Sequence, residues 1–331
     1  MQTQSDGFTR LILAAPFTDH ATRQGIDVAP VLEALGLSAE MMRDPTTTVH
    51  VEIVYGLCNM LAEQSDDPHL GCHVAETFDL ASWPPLAQAG RTAGSIGELL
   101  VNYLLQVPRE SSSVRHALTV EVEGAIYAVH RLVETRNAPI QVEGFGMALH
   151  LRLLQLVLGS RWSPDAVLLR TSFPEALPRR FMNVSVRKAN LPGMELRFPP
   201  SWLFVAPATD LRWSPETPKP DPADLSILSA LQGAARPNLA DRTLNAEALA
   251  AMLGLSVNRL EAALHQHQTT VPRELKALRI AVAKEELVQT DRSIAEIGAM
   301  LGYDDQSHFA RFFRSQTGQS PRAYRKSGQR S

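Results

Sequence analysis

Toward its C-terminal end the 331-residue chain carries Gln306, Ser307, Ala310, Arg311 and Arg314, side chains suited to reading double-stranded nucleic acid. A guanidinium pairs bidentately with guanine O6 and N7, a glutamine amide pairs with adenine N6 and N7, and an alanine methyl contacts the thymine methyl. Phe309, Phe312 and Phe313 fall at i, i+3 and i+4, which buries one side of a helix and leaves those polar residues on the other. Phenylalanines also stack on single-stranded bases, but the helical spacing reads here as core packing.

The preceding segment positions that helix. Ser293 and Glu296 have capping-box spacing, and Ile294, Ile297 and Leu301 share one helical face. Gly302 ends the helix, and Asp304 or Asp305 caps the next one. The unit has an earlier copy. Ala251-Met252-Leu253-Gly254 recurs as Ala299-Met300-Leu301-Gly302, and with one inserted residue Leu260, Leu264, Pro272 and Arg273 fall on Phe309, Phe313, Pro321 and Arg322. In the first copy Asn245 and Ser256 are the caps, and Leu249, Leu253, Leu260, Ala263 and Leu264 pack inward. Its outward residues are Asn258, Arg259, Glu261 and Ala262. Few phosphate or guanine contacts are available there, although a Glu accepts from cytosine N4. The second motif is therefore expected to dominate. Between the copies, residues 272–289 read as one helix with Pro272 at N1, spanning about 27 Å at about 1.5 Å per residue. That length, with the motifs on either side, suits two recognition helices about 34 Å apart, in successive major grooves.

Charge separates this segment from the rest. The whole chain is 44% hydrophobic and 20% charged with a net charge of −3, a globular composition that by itself argues against a general polyanion binder. Residues 211–222 (LRWSPETPKPDP) hold four prolines and read as an extended linker. Residues 223–331 carry 14 basic against 11 acidic residues, net +3, while residues 1–222 carry 18 against 24, net −6. From 306 onward there are six basic residues, Arg311, Arg314, Arg322, Arg325, Lys326 and Arg330, and no acidic one. Arg322 and Arg325 read either as DNA contacts or as ties that close the domain.

Residues 1–210 read as α+β. Residues 51–63 and 142–158 have helical patterns, and Ser95 with Glu98 forms a capping-box pattern ahead of Leu99, Leu100 and Leu104. Residues 117–122 and 125–133 flank Glu123-Gly124 as a hairpin, with shorter strands expected at 166–173 and 194–198. The apolar stripes at 99–106 and 142–158 read first as plain core, with an effector pocket or a dimer face as the alternatives. His69, Cys72 and His73 have spacing that suits zinc but no evident fourth ligand, and His265 and His267 lie two apart, on different helix faces. Ser111–Ser113 lack a nucleophile-elbow pattern. No catalytic residues, metal or cofactor are expected. With only Cys58 and Cys72, no 18-residue apolar run, and residues 11–17 too short and poorly flanked for a cleaved leader, the expected location is the cytoplasm, without a membrane span.

Residues 245–326, with the paired A-M-L-G turns and the closing SIAEIGAMLGY and FARFFRSQTGQSPRAYR stretches, resemble the DNA-binding domain of AraC/XylS-type transcriptional regulators. The resemblance places base-contacting positions of the second motif on Gln306, Ser307 and Arg311, with Arg314 at a backbone-contacting position. Those of the first motif fall on Asn258, Arg259, Glu261 and Ala262, where the last two depart from the family's polar or basic residues. Residues from about 10 to 205 are similar to the arabinose-binding-like N-terminal domain of a branch that includes regulators of ornithine utilisation. That similarity rests on Ala34-Leu35-Gly36-Leu37, Asp67-Pro68-His69-Leu70-Gly71, Leu196-Arg197-Phe198-Pro199 and Trp202-Leu203. It implies effector sensing or dimerisation, and activation through RNA polymerase.

The expected fold is thus an α+β N-terminal domain (1–210), a linker (211–222) and an all-α C-terminal domain (223–331) with two helix-turn-helix motifs joined by a long helix. The expected function is that of a non-enzymatic, effector-responsive activator that binds double-stranded DNA as a homodimer. The rival readings are an enzyme domain fused to a DNA-binding appendage and a ligand-free architectural dimer. The effector and its pocket residues are not identified by the sequence.

Overall fold

The structure is a computed structural model that describes residues 7–81, 83–208, 213 and 226–328. It divides into two compact units, Met1–Leu225 and Ser226–Ser331. Of the expected linker only Trp213 falls among the described residues. It packs against Gly90, where a Cβ would stand 2.1 Å from its ring.

The first unit is α+β. Short strands β1 (Phe8–Arg10) and β2 (Thr48–His50) pair antiparallel. Strands β3 (Val114–Glu121), β4 (Gly124–Arg131), β5 (Leu168–Thr171), β6 (Ser185–Lys188) and β7 (Gly193–Phe198) form a sheet in the order β3-β4-β7-β5-β6, antiparallel except for β5 with β6. In β7, Met194, Leu196 and Phe198 are buried while Glu195 and Arg197 point away, the alternation of a sheet with one covered face. Outward-facing Arg170 and Glu195, cross-strand partners, meet at 2.7 Å.

The covering helix is Ile140–Leu158, which packs on β7 and carries twelve buried residues. With the following turn to Arg161 it is apolar and long enough to cross a membrane, yet 61% of that window is buried inside the unit. Leu70–Thr77 lies along it at backbone contact. The Gln141 side chain locks the pair, its Oε1 accepting from Gly71 N–H (2.9 Å) and its Nε2 donating to the Pro68 carbonyl (3.1 Å). Asp67 fixes the same turn by accepting from His69 N–H (2.9 Å) and pairing with His73 (2.7 Å). The Asp67–Gly71 stretch that carries the resemblance is thus a packing device. His73 is engaged by Asp67, and among the described residues no three His, Cys, Asp or Glu side chains are grouped to hold a metal ion.

Two local expectations are corrected. The β3–β4 register pairs Glu121 with Gly124, so the turn is Val122-Glu123 and Gly124 opens β4. Gly124 is required by β7 instead, since a Cβ there would meet Arg197 Cγ at 3.1 Å and the Phe198 carbonyl at 3.3 Å. Ser95 does cap Ile96–Glu110 by accepting from Glu98 N–H (3.2 Å), but Glu98 returns to Gly94 N–H (2.7 Å), so the box is not reciprocal. Ser111 and Ser113 bond one another at 2.7 Å, and Ser111 Oγ also donates to the Phe8 carbonyl (3.5 Å), so both hydroxyls serve local structure.

The second unit is helical: Ile227–Ala235, Ala246–Met252, Val257–Gln266, Val271–Gln289, Ile294–Met300, Gln306–Thr317 and Pro321–Gly328. The first of these was not anticipated. It buries Ile227, Ala230, Leu231 and Ala235 and packs on both helices of the first motif and on the connecting helix. The connecting helix begins at Val271, which moves Pro272 from N1 to the second position, where its missing N–H is equally harmless.

Candidate nucleic-acid interface

Both motifs are built by the same local chemistry. Asn245 Oδ1 accepts from Ala248 N–H (2.9 Å) and Ser256 Oγ from Arg259 N–H (3.3 Å), starting the two helices of the first motif. In the second, Ser293 and Glu296 form a reciprocal capping box at 3.2 and 2.7 Å. The turns are copies. Leu255 N–H reaches the Ala250 carbonyl (2.8 Å) and Gly254 N–H that of Ala251 (3.0 Å). Tyr303 and Gly302 repeat these bonds to Gly298 (2.9 Å) and Ala299 (3.0 Å). This is the Schellman closure, and it requires the positive φ of Gly254 (69°) and Gly302 (83°).

The recognition helix Gln306–Thr317 starts at Asp305, whose Oδ1 accepts from Ser307 N–H (2.7 Å) and His308 N–H (2.8 Å). Those bonds, the one from His308 first, hold the Asp305 carboxyl below its ordinary value. Asp304, the other candidate cap, pairs instead with Arg242. Phe309 and Phe313 are fully buried, whereas Phe312 is half-buried under the Tyr303 ring at 5.0 Å. The face left free exposes Gln306, Ser307, Arg311 and Arg314, with Ala310 half-buried among them. In the first motif Asn258, Arg259, Glu261 and Ala262 are all exposed on Val257–Gln266. Each of these eight side chains is therefore on the open face of its helix.

The ambiguous arginines separate. Arg325 Nε donates to the Leu287 carbonyl (3.1 Å), and its Nη2 to that of Arg292 (2.5 Å), so it ties the closing helix to the end of the connecting helix. Arg322 is exposed. Arg279 Nε likewise holds the second turn through the Leu301 carbonyl (3.1 Å). His265 sits in the last turn of its helix and His267 just beyond it, both exposed.

A second site lies within the first unit. A partly open cavity of about 180 Å³ is lined mainly by the helices Val51–Gln64, Ile96–Glu110 and Ile140–Leu158 and by β3, β4 and β7. From the apolar stripe at 142–158, Val142, Phe145 and Leu149 line the cavity, whereas of residues 99–106 Tyr103 alone does. Arg131 and Glu143, paired on its wall, balance one another. His150 and His116 are kept neutral by burial, His150 down to about 4.

The chain thus carries an α+β unit with a cavity, followed in sequence by two helix-turn-helix motifs on one connecting helix. The family model for the arabinose-binding domain of AraC transcription regulators, N-terminal, matches residues 25–203, and one for a helix-turn-helix domain matches residues 249–327. The chain belongs to the AraC family of transcription regulators. It is 34% identical over 99 residues to the transcriptional activator NphR of Rhodococcus sp, covering 30% of each chain. It is 38% identical over 80 residues to the transcriptional activator RhaS of Salmonella arizonae, covering 24% of this chain and 29% of that one. The chain thus spans about 30% of the length of the curated relatives it matches. The solved structure of the regulator CdpR from Pseudomonas aeruginosa aligns over 95% of this chain and 98% of its own, with a TM-score of 0.42 and 18% identity.

Proposed function

We propose that this chain is a sequence-specific transcriptional activator that binds double-stranded DNA through both motifs, with the second supplying most of the affinity. The observation that carries the reading is the face of Gln306–Thr317, which exposes Gln306, Ser307, Arg311 and Arg314 opposite a buried Phe309–Phe313 seam. Asn258, Arg259 and Glu261 make the weaker first contact. Phosphate contacts set register and salt sensitivity, and base edges set sequence.

In this reading residues 1–210 sense a small-molecule effector and form a homodimer, residues 211–222 are the linker, and RNA polymerase is the partner recruited in the cytoplasm. The mostly apolar cavity supports the effector role. Outward-facing Val101 and Leu105, 46% and 65% exposed, support self-association. The chain catalyses no reaction. Selection of bound duplexes from a random pool with the full chain tests the reading: a bipartite motif with half-sites about one turn, 10 to 10.5 base pairs, apart is expected. Retention of every duplex alike would refute it.

A further inference from the structure

The cavity in the first unit has the chemistry of a particular kind of guest. Its volume of about 180 Å³ compares with roughly 150 Å³ for an apolar protein cavity that takes up benzene. Val54, Val107, Val142, Phe145, Leu149 and Met194 make most of its wall apolar. It adjoins a surface cleft of about 1070 Å³, sharing Leu13, Trp83, Pro85 and Glu110 with it, which supplies a route of entry.

Polar groups line it as well. Tyr103, His116 and His150 line it, and with Tyr127 behind them their rings lie 5.0 to 5.9 Å apart. His116 Nδ1 is satisfied by the Tyr127 hydroxyl at 2.7 Å. His150 is not satisfied. Its Nδ1 stands 2.6 Å from the Gly146 carbonyl, which only accepts, so Nδ1 carries the hydrogen and the neutral ring presents Nε2 as a bare acceptor. That atom is fully buried and has no partner among the described residues, on a side chain only 5% exposed. Such atoms are rare in folded proteins unless a water or a ligand completes them.

Gly146 adds an independent observation. It lines the cavity in mid-helix, where glycine is unfavourable, and a Cβ there would meet nothing within 4 Å. Space is therefore left open beside His150. Fixed charges around the cavity are matched, Arg131 with Glu143 and Glu110 with Arg10, so an ionic guest would find no free counter-charge.

We infer that the cavity binds a neutral molecule between phenol and indole in size, whose hydroxyl or N–H donates to His150 Nε2. This rests on the reading of the first unit as an effector domain. A pentose of similar bulk would set most of its hydroxyls against valine, leucine and phenylalanine, leaving them unpaired.

The test is calorimetric titration of the full chain with phenol, indole, toluene, benzoate and L-arabinose, in the wild type and two variants. Phenol and indole bind saturably, while benzoate and arabinose do not. In His150→Phe the affinity ratio of phenol to toluene falls at least about tenfold, the loss expected when a buried acceptor that reads a donor is removed. Gly146→Leu, which fills the open space, abolishes uptake without lowering the melting temperature. An unchanged ratio in His150→Phe, undiminished uptake by Gly146→Leu, or no binding of phenol or indole overturns the inference. DNA affinity separates it from the reading beneath it. If phenol binds but DNA affinity does not respond to it or to any other metabolite, the cavity assignment stands and the effector role falls. If phenol and indole fail to bind while some other metabolite shifts DNA affinity equally in wild type and Gly146→Leu, the effector role stands and the cavity assignment falls.

Discussion

Gly71 lies so close to Gln141 that a Cβ on it would stand 1.8 Å from the Gln141 carbonyl oxygen. Two helices of the sensing unit therefore touch through backbone, and the same pair is bonded from Gly71 N–H to Gln141 Oε1. Gly71→Ala forces them apart. The expected cost is about 3 kcal/mol, the upper end for overpacking, read as a lower melting temperature for the unit's transition.

Gly146 in the longer of those helices behaves oppositely. With open space at its Cβ position and helical backbone, Gly146→Ala is expected to stabilise by about 0.5 to 1 kcal/mol, read as a raised denaturant midpoint at unchanged slope. Destabilisation by this change would mean that the space beside His150 is not free.

The two closing arginines differ in kind. Arg325→Ala loses bonds to the Leu287 and Arg292 carbonyls and is expected to lower the stability of the second unit by about 1 to 2 kcal/mol, with the salt dependence of DNA binding unchanged. Arg322→Ala leaves stability alone; if Arg322 contacts phosphate, the salt slope falls by about one. Thermal melts and binding at several salt concentrations separate these outcomes.

Acid acts on the caps. Asp305 and Glu296 have carboxyls held below their ordinary values by backbone N–H groups, those of His308 and Ser293 first. A depressed folded-state value stabilises fully above the unfolded carboxylate range, and that stability is lost as pH falls from there down through the lower folded-state value. The second unit is therefore expected to weaken on acidification through that range. Asp305→Asn, which keeps a good cap but cannot titrate, flattens that limb in melts taken across the range.

What could be read in advance follows the range of the interactions. Asn245, Ser256, Ser293 and the glycines 254 and 302 act within one helical turn, and each does what its position in the sequence implies. Gly124 reads locally as a turn residue, whereas the atoms that crowd its Cβ position belong to Arg197 and Phe198, more than seventy residues on. Strands β1, β2 and β6 are three or four residues long and exist only through distant pairing, so no periodicity marks them. The cavity was hidden for a related reason: His150 sits in an apolar helical stripe, and only the positions of Gly146, Tyr103 and His116 show its unpaired nitrogen. Arg325 and Arg322 look alike in sequence, and the difference lies in two carbonyls at the far end of another helix.

The central claim is that the second motif dominates DNA recognition. Its most direct test is the affinity of the full chain for its selected duplex, comparing Arg311→Ala with Glu261→Ala. The account predicts a loss of about 1 to 3 kcal/mol for Arg311→Ala, with one base position relaxed, and a smaller loss for Glu261→Ala. Equal losses from the two variants, or a larger one from Glu261→Ala, would contradict it.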